Sequence, residues 1–194
     1  MNTEKSIISE IFKGISFSQE EIDFISTKFL KVTYTKGDVL STPNTDVIHQ
    51  FYVFKGCLRA FFNDKSGKEH TVQFAIKDWW ITDYASYFNL EKSMLTIECI
   101  KDCVVYKIAK EDFEEIFILY PKVHFFVRKK LERGYASSFI RILKNLSQTA
   151  TERYLQFIEK YPNIEKNVKN YHIASYLGIT TESLSRIRKK NLKN

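Results

Sequence analysis

The sequence predicts an α+β chain: a block of short antiparallel strands, then a long helix, then a C-terminal helix-turn-helix. Three observations carry this. From Lys31 to Ile108, apolar residues alternate in short runs separated by turn residues, as in a β-sandwich, jelly roll or barrel. From Lys122 to Leu146, apolar residues recur at helical spacing. From His172 to Lys190, two short helical patterns flank a glycine.

In chain order, residues from about Glu4 to Leu30 read as two short helices. Ile7, Ile8, Ile11 and Phe12 share a face of the first. Ser18 with Glu21 is a capping-box pattern opening the second, whose buried side holds Ile22, Ile25 and Phe29. The period then becomes two. Val32 and Tyr34 alternate up to a turn at Lys36-Gly37-Asp38, Val39-Leu40 resume, and Pro43-Asn44 marks another turn. His49 to Phe62 is strongly strand-like, with a turn expected at Lys55-Gly56. Asn63-Asp64-Lys65-Ser66-Gly67 reads as a hairpin loop, and His70 to Ile76 as its return strand. Thr96 to Ile108 closes the series, with a break expected at Lys101-Asp102.

Glu111 to Phe117 is a short helix interrupted by Tyr120-Pro121. The long helix that follows, Lys122 to Leu146, is a rod of roughly 37 Å at 1.5 Å per residue. Val123, Val127, Leu131, Tyr135, Phe139, Ile142 and Leu146 form a nearly heptad stripe along it. Such a stripe needs a cover. Either it packs on the β block or two copies of the chain pair along it, or both, with Val127, Leu131, Tyr135, Phe139, Ile142 and Leu146 as the expected dimer interface. Thr151 is expected to cap the next helix, which buries Tyr154, Leu155, Phe157 and Ile158 and stops at Pro162.

In the last segment, Ile173, Ala174 and Leu177 form one buried face, and Gly178 supplies the left-handed corner. Ile179 plugs that corner and Thr180 caps the following helix. Leu184 and Ile187 point inward there, while Glu182, Ser185, Arg186 and Lys189 point outward. A polar, mainly basic face suits a recognition helix: Arg grips guanine bidentately and Glu accepts from cytosine. A plain helical hairpin with a solvated face has the same spacing, so charge decides. Residues 163–194 hold seven Lys and Arg against two Asp and Glu, out of a net +7 for the chain. That concentration supplies the attraction to phosphates that duplex binding requires. Arg186 and Glu182 are expected to read bases. Thr180, Thr181, Ser183 and Ser185 are expected to position the helix, and Arg188, Lys189, Lys190 and Lys193 to hold the backbone.

The bulk numbers narrow the classes. Apolar residues at 44% and aromatics at 15% describe a folded chain. Three Cys make no paired framework and no signal peptide is apparent, so a cytoplasmic setting is expected. No apolar run reaches membrane-spanning length, so no membrane is expected. The four His stand apart at 49, 70, 124 and 172, without the His-x-His and following Glu of a cupin-type metal enzyme. Cys99 and Cys103 read as buried structural thiols, since an iron-sulfur site needs four thiolates. Glu111, Asp112, Glu114 and Glu115 read as an acidic first helical turn, not as catalytic carboxylates. No metal, cofactor or catalytic residue is expected, and the chain is not read as an enzyme.

The order of strands, long helix and helix-turn-helix resembles the Crp/Fnr (cyclic-AMP receptor protein/fumarate-nitrate regulator) family of bacterial transcription regulators. The resemblance rests on Ile173–Lys189 above all, with Lys36-Gly37-Asp38, Phe54–Arg59 and Gly67–Phe74. It implies a double-stranded β-helix, a cyclic-nucleotide-binding-like jelly roll acting as sensor over residues 1–118. It implies a dimerisation helix over 119–146 and a DNA-binding domain over 147–194. It also implies a homodimer on a palindromic operator in double-stranded DNA, and contact with RNA polymerase. The family's DNA-reading positions match Thr181, Glu182 and Arg186, with Thr181 standing where many relatives carry Arg. Two departures follow. Cyclic-nucleotide binders of the family carry Gly-Glu and then an Arg beside a small residue, on which the cyclic phosphate sits. The corresponding region here begins Asp78-Trp-Trp-Ile-Thr-Asp-Tyr-Ala-Ser-Tyr-Phe88, and no Arg occurs between Arg59 and Arg128. A response to cyclic AMP is therefore not expected. The family's two-stranded wing after the recognition helix is expected to be truncated or absent, because the sequence stops at Asn194.

Trp79, Trp80, Tyr84, Tyr87 and Phe88 lie where the ligand cassette would be. They read either as walls of a pocket for an unknown small-molecule effector or, more simply, as packing. The alternative to a regulator is a β-roll small-molecule-binding protein whose C-terminal helices dock a protein partner. A cupin-like enzyme is the weaker third.

Overall fold

Helix α1 (Thr3–Ile11) turns Ile7, Ile8 and Ile11 inward, and Phe12 follows them. The computed structural model describes residues 3–191, and side chains from 7–164 and 168–191. Helix α2 (Gln19–Thr27) opens on the expected capping box. Ser18 Oγ accepts from the Glu21 amide, and the Glu21 carboxylate accepts from the Ser18 amide at 2.7 Å. The helix ends earlier than its apolar pattern suggested, and Leu30 already belongs to β1 (Leu30–Tyr34). Next come β2 (Val39–Ser41), β3 (His49–Asn63), β4 (Glu69–Ile76), β5 (Trp80–Ile81), α3 (Tyr84–Asn89) and β6 (Thr96–Ala109). Helices α4 (Lys110–Leu119), α5 (Pro121–Ser147), α6 (Ala150–Lys160), α7 (Pro162–Asn167), α8 (Asn170–Leu177) and α9 (Thr181–Asn191) complete the chain.

The strands form an antiparallel jelly roll, followed by helices. The main path runs β1-β6-β3-β4, with β2 on β6 and β5 on β3. Register is set by Leu30 opposite Lys107 and Tyr34 opposite Cys103. The expected turn at Lys55-Gly56 and the expected break at Lys101-Asp102 are absent: β3 and β6 run unbroken through both. What the residues mark instead is a bulge and a close crossing. Phe51 and Val53 share an interior face with Leu58 and Ala60, so the alternation slips by one residue across Gly56. Gly56 has φ +101°, and a Cβ there would lie 2.3 Å from the Asp102 carbonyl oxygen. Asp102 in turn accepts from the Lys36 amide at 2.8 Å, closing the β1–β2 turn.

The chain divides into two units: Met1–Ala60 with Phe74–Glu132, and Phe61–Gln73 with Arg133–Asn194. The first holds two apolar clusters. One fills the roll with Phe51, Val53, Leu58, Ala60, Ile81, Ile97, Cys99, Cys103 and Val105. The other joins Ile8, Phe12 and Ile25 to Tyr52, Tyr106, Ile108, Phe113, Ile116 and Val123. Lys28 ties α2 to α4 through Asp112 at 3.0 Å and Glu115 at 2.6 Å.

The second unit contains the β3–β4 hairpin tip and helices α6 to α9. Helix α6 is capped by Thr149, not by the expected Thr151. Thr149 and Glu152 form a complete capping box, which leaves Thr151 inside the first turn. Tyr154 and Phe157 are buried as expected, whereas Leu155 is 42% exposed. At the hairpin tip, Asp64 gathers the Ser66 amide at 2.8 Å, the Lys68 amide at 3.2 Å and His70 Nε2 at 2.7 Å.

Candidate nucleic-acid interface

Helix α8 ends where its sequence says it must. Gly178 takes φ +68°, the Ile179 amide donates to Ala174 O at 3.0 Å, and the Gly178 amide donates to Ser175 O at 3.2 Å. Those paired bonds are a Schellman closure, which satisfies the last carbonyls of the helix. Thr180 then starts α9. Its hydroxyl accepts from the Ser183 amide at 3.2 Å and its carbonyl from the Leu184 amide at 3.0 Å. Ile173, Ala174, Leu177 and Leu184 are buried, so the two helices meet on one apolar seam.

That seam fixes which way the candidate side chains of α9 face. Glu182, Ser185, Arg186, Lys189 and Lys190 are exposed, as is Thr180, while Thr181 and Ser183 are half-buried at the start of the helix. Arg186 Nη2 lies 3.4 Å from Ser183 Oγ, a contact loose enough to exchange for a better partner. Glu182 is held below the usual carboxylate range by its own backbone amide, by the Thr180 and Thr181 hydroxyls and by Arg186. Arg188 is placed differently from its neighbours. Its guanidinium donates to Tyr154 Oη at 3.2 Å and to Asn170 Oδ1, and lies over the Tyr154 ring at 5.8 Å. It fastens α9 to α6 and α8 and is not set out with the surface cations. Lys193 lies outside the described residues.

Two residues that the sequence did not single out organise the unit. Arg153 donates to the Gln148 carbonyl at 2.7 Å and to the Leu177 carbonyl at 3.2 Å, so one guanidinium closes the chain after α5 and the end of α8. Ser175 on α8 takes backbone groups of β4: its hydroxyl donates to the Glu69 carbonyl at 2.8 Å and accepts from the Thr71 amide at 2.8 Å. Nothing in local sequence marks that pairing. The hairpin also places exposed Lys65 and Lys68 in this unit. Residues 61–73 and 133–194 together hold fourteen Lys and Arg against six Asp and Glu, hence +8, which leaves −1 for the rest of a +7 chain.

The aromatic residues expected to share a pocket are divided. Trp80 packs into the helical core, stacked on Phe113 at 5.4 Å and edge-on to Tyr52 at 5.5 Å. Trp79 packs against the interior of the roll. Tyr84, Tyr87 and Phe88 form a separate group on α3, with Phe88 more than half exposed.

The long helix leaves most of its stripe uncovered within one chain. Val123 is buried, and Phe126 and Val127 pack partly against the helical core. Beyond them Leu131 is 36%, Tyr135 74%, Phe139 51%, Ile142 54% and Leu146 81% exposed. Ile140 and Leu143 widen the stripe. Cys57, Cys99 and Cys103 are free and buried, and burial pushes the Cys57 thiol up to about 12. Among the described residues no His, Cys, Asp or Glu cluster has the make-up of a metal site, and no helix is long and apolar enough to cross a membrane.

Residues 31–120 match the family model of the cyclic nucleotide-binding domain. Solved structures share the fold of nearly the whole chain. The c-di-GMP responsive global regulator CLP of Xanthomonas campestris superposes with a TM-score of 0.73 at 12% identity, over 91% of this chain and 92% of that one. A mutant of CooA from Carboxydothermus hydrogenoformans gives 0.72 at 19% identity, over 95% and 83%. FixK2 from Bradyrhizobium japonicum gives 0.71 at 17% identity, over 84% and 83%. Among curated protein sequences nothing matches the chain.

Proposed function

We propose that this chain is a sequence-specific DNA-binding transcription regulator of the Crp/Fnr type, acting as a homodimer. One observation carries the reading. The solvent face of α9 offers Glu182, Ser185 and Arg186 between a capped start and a basic end, in the unit that holds all of the chain's positive excess. Neutralised phosphates give such a surface its affinity, and the base-edge contacts of Arg186 and Glu182 give it selectivity. Lys189 and Lys190 hold the sugar-phosphate backbone, and Thr180, Thr181, Ser183 and Ser185 set the register. Arg188 acts on the same surface indirectly, by fixing the angle of α9 against Tyr154 and Asn170.

In a homodimer built on α5, two such helices about 34 Å apart meet successive major grooves, so the operator is roughly palindromic. The exposed apolar stripe from Leu131 to Leu146 supports that assembly. RNA polymerase is the expected protein partner, following the regulators that the fold resembles. The roll does not answer to cyclic AMP: the family's phosphate-binding Arg has no counterpart here, and the buried guanidinium of Arg59 is already paired with Glu98 at 2.9 Å.

The test is a gel shift of the full chain on genomic fragments over a range of salt, followed by sequencing of the retained DNA. A recurring palindrome and a steep salt dependence are expected. A protein that retains no fragment at any salt, yet captures a single protein partner, would favour the ligand-binding alternative.

A further inference from the structure

We propose that Cys99 and Cys103 are an oxidisable dithiol, which closes to an intrachain disulfide when the chain meets a two-electron oxidant of the peroxide class. Four residues along a straight strand span about 13 Å, too far for two thiols to touch. The β1–β2 turn removes that distance. Cys103 lies opposite Tyr34 on the near side of the turn. Cys99 bonds to the far side, its amide donating to Asp38 O and its carbonyl accepting from the Gly37 amide, each at 2.8 Å. Strand β6 bends with the turn, and Cys99 Sγ donates a hydrogen bond to Cys103 Sγ. The Cys103 thiol in turn donates to the Lys101 carbonyl at 3.0 Å.

The two sulfurs are unequal. Cys103 accepts from the Cys99 thiol and from the Cys57 amide, and both bonds favour its thiolate, so its pKa is lowered. Cys99, the donor, is raised by that same bond and by burial. Burial decides what the pair can become. Each sulfur belongs to a residue 1% exposed, packed in one cluster with Leu58, Ile97 and Val105. A metal ion between two thiolates would carry charge into that cluster, whereas a disulfide is neutral. Cover is thin on one side, because Lys101 and Asp102, which link the two cysteines, are half-buried and exposed. Peroxide is little larger than water and needs only a local opening of that segment. The Cys103 thiolate attacks one peroxide oxygen, and the O–O bond breaks to give a sulfenic acid and hydroxide. The hydroxide takes up the proton that Cys103 released. The Cys99 sulfur then attacks the Cys103 sulfur, the S–O bond breaks, and the oxygen leaves as water with the Cys99 proton. Two thiols lose two electrons and two protons, and one peroxide becomes two waters.

The experiment exposes the folded full chain to hydrogen peroxide, alkylates the remaining thiols in denaturant and digests with trypsin. Trypsin cuts after Lys92, Lys101 and Lys107, and Lys101 lies between the two cysteines. Fragments 93–101 and 102–107 should therefore stay joined and part only on reduction, with Cys57 still alkylated. On a denaturing gel without reductant the oxidised protein should run at the mass of one chain. Oxygen added to the exposed Met94 changes the mass of fragment 93–101 without joining it to another. Fragments that separate without reduction, a link through Cys57, or a link between two chains would overturn the proposal. Single variants assign the roles. With dimedone present to trap sulfenic acid, Cys99→Ala should be labelled at Cys103 several-fold faster than Cys103→Ala is labelled at Cys99. Equal labelling would overturn Cys103 as the attacking sulfur. Should either variant fail to fold, the fragments from the unaltered chain still decide whether the disulfide forms.

Discussion

Arg186 and Arg188 stand two positions apart on α9, about 200° around the helix, and that rotation separates their tasks. Arg186→Ala should cost about 1–3 kcal/mol of specific binding per half-site and relax one base position in each, with stability unchanged. Titration against operators varied one pair at a time measures both, and equal selectivity in the mutant would end its role as a reader. Arg188→Ala should instead lower stability to urea by roughly 1–2 kcal/mol, because the Tyr154 hydroxyl and Asn170 lose a charged partner. The sequence reading grouped Arg188 with the surface cations because it stands in a run of charge. Angular position was the better guide, since Arg188 shares the side of Leu184 and not that of Arg186. Titration also has a residue-scale consequence. The Ser66 hydroxyl, His70 and the Ser66 and Lys68 amides hold Asp64 far below its ordinary value of 3.8. A depressed carboxylate stabilises the fold above its unfolded pKa and loses that contribution as pH falls through the folded one. The hairpin tip should therefore loosen only in strong acid, starting below about pH 4, and Asp64→Asn should remove that dependence. Amide hydrogen exchange at Ser66 and Lys68 across acidic pH would reveal it, and identical profiles in the two proteins would refute it.

Among elements, the informative comparison is between two glycines in left-handed backbone. Gly56, at φ +101°, lies inside β3, and a Cβ would meet the Asp102 carbonyl oxygen at 2.3 Å and Cys103 Sγ at 2.6 Å. Gly67, at φ +82°, lies in the hairpin loop with nothing within 4 Å of that position. Gly56→Ala should therefore cost roughly 2–5 kcal/mol, from backbone strain and overpacking together, and Gly67→Ala only about 1 kcal/mol. Urea midpoints decide it, and equal costs would mean that β3 and β6 part easily. These glycines also explain what was legible in the chain. Strand locations, the hairpin, both N-terminal helices and the corner after α8 follow from local period and capping chemistry. Lys55-Gly56 did not, because a glycine at a turn and one at a bulge carry the same local signal. Only the close passage of β6 distinguishes them. The cap of α6 shows a second ambiguity: Thr149 and Thr151 have equal propensity, and the reciprocal bond from Glu152 selects the first. Trp79 and Trp80 were separable in principle, since neighbouring residues in extended backbone point to opposite faces.

For the molecule as a whole, charge and uncovered apolar surface point to the same assembly. All of the positive excess resides with the hairpin tip, the later part of α5 and the C-terminal helices, as befits one surface held against a polyanion. Lys189→Ala with Lys190→Ala should weaken binding to all sequences alike. Because a dimer carries each lysine twice, the pair should flatten the plot of log affinity against log salt by about four, counting roughly one released ion per phosphate contact. An unchanged slope would remove both lysines from the backbone contacts. The dimer is the larger claim. Tyr135, Phe139, Ile142 and Leu146 are each at least half exposed on one side of a 27-residue helix, with Ile140 and Leu143 beside them. Such an array is too long and too apolar to suit water, and its near-heptad spacing is what a second copy of the same helix would cover. Phe139→Lys with Ile142→Lys places two cations in that seam without touching the buried Val123 or the seam between α8 and α9. In sedimentation equilibrium the unaltered chain should be a dimer and the double variant a folded monomer. On DNA the monomer should retain a half-site, with about half the salt slope and affinity lower by several orders of magnitude, because the second recognition helix no longer arrives linked to the first. A variant that stays dimeric, or a monomer that binds the full palindrome undiminished, would detach the exposed stripe from the DNA-reading surface and leave α5 in need of a different partner.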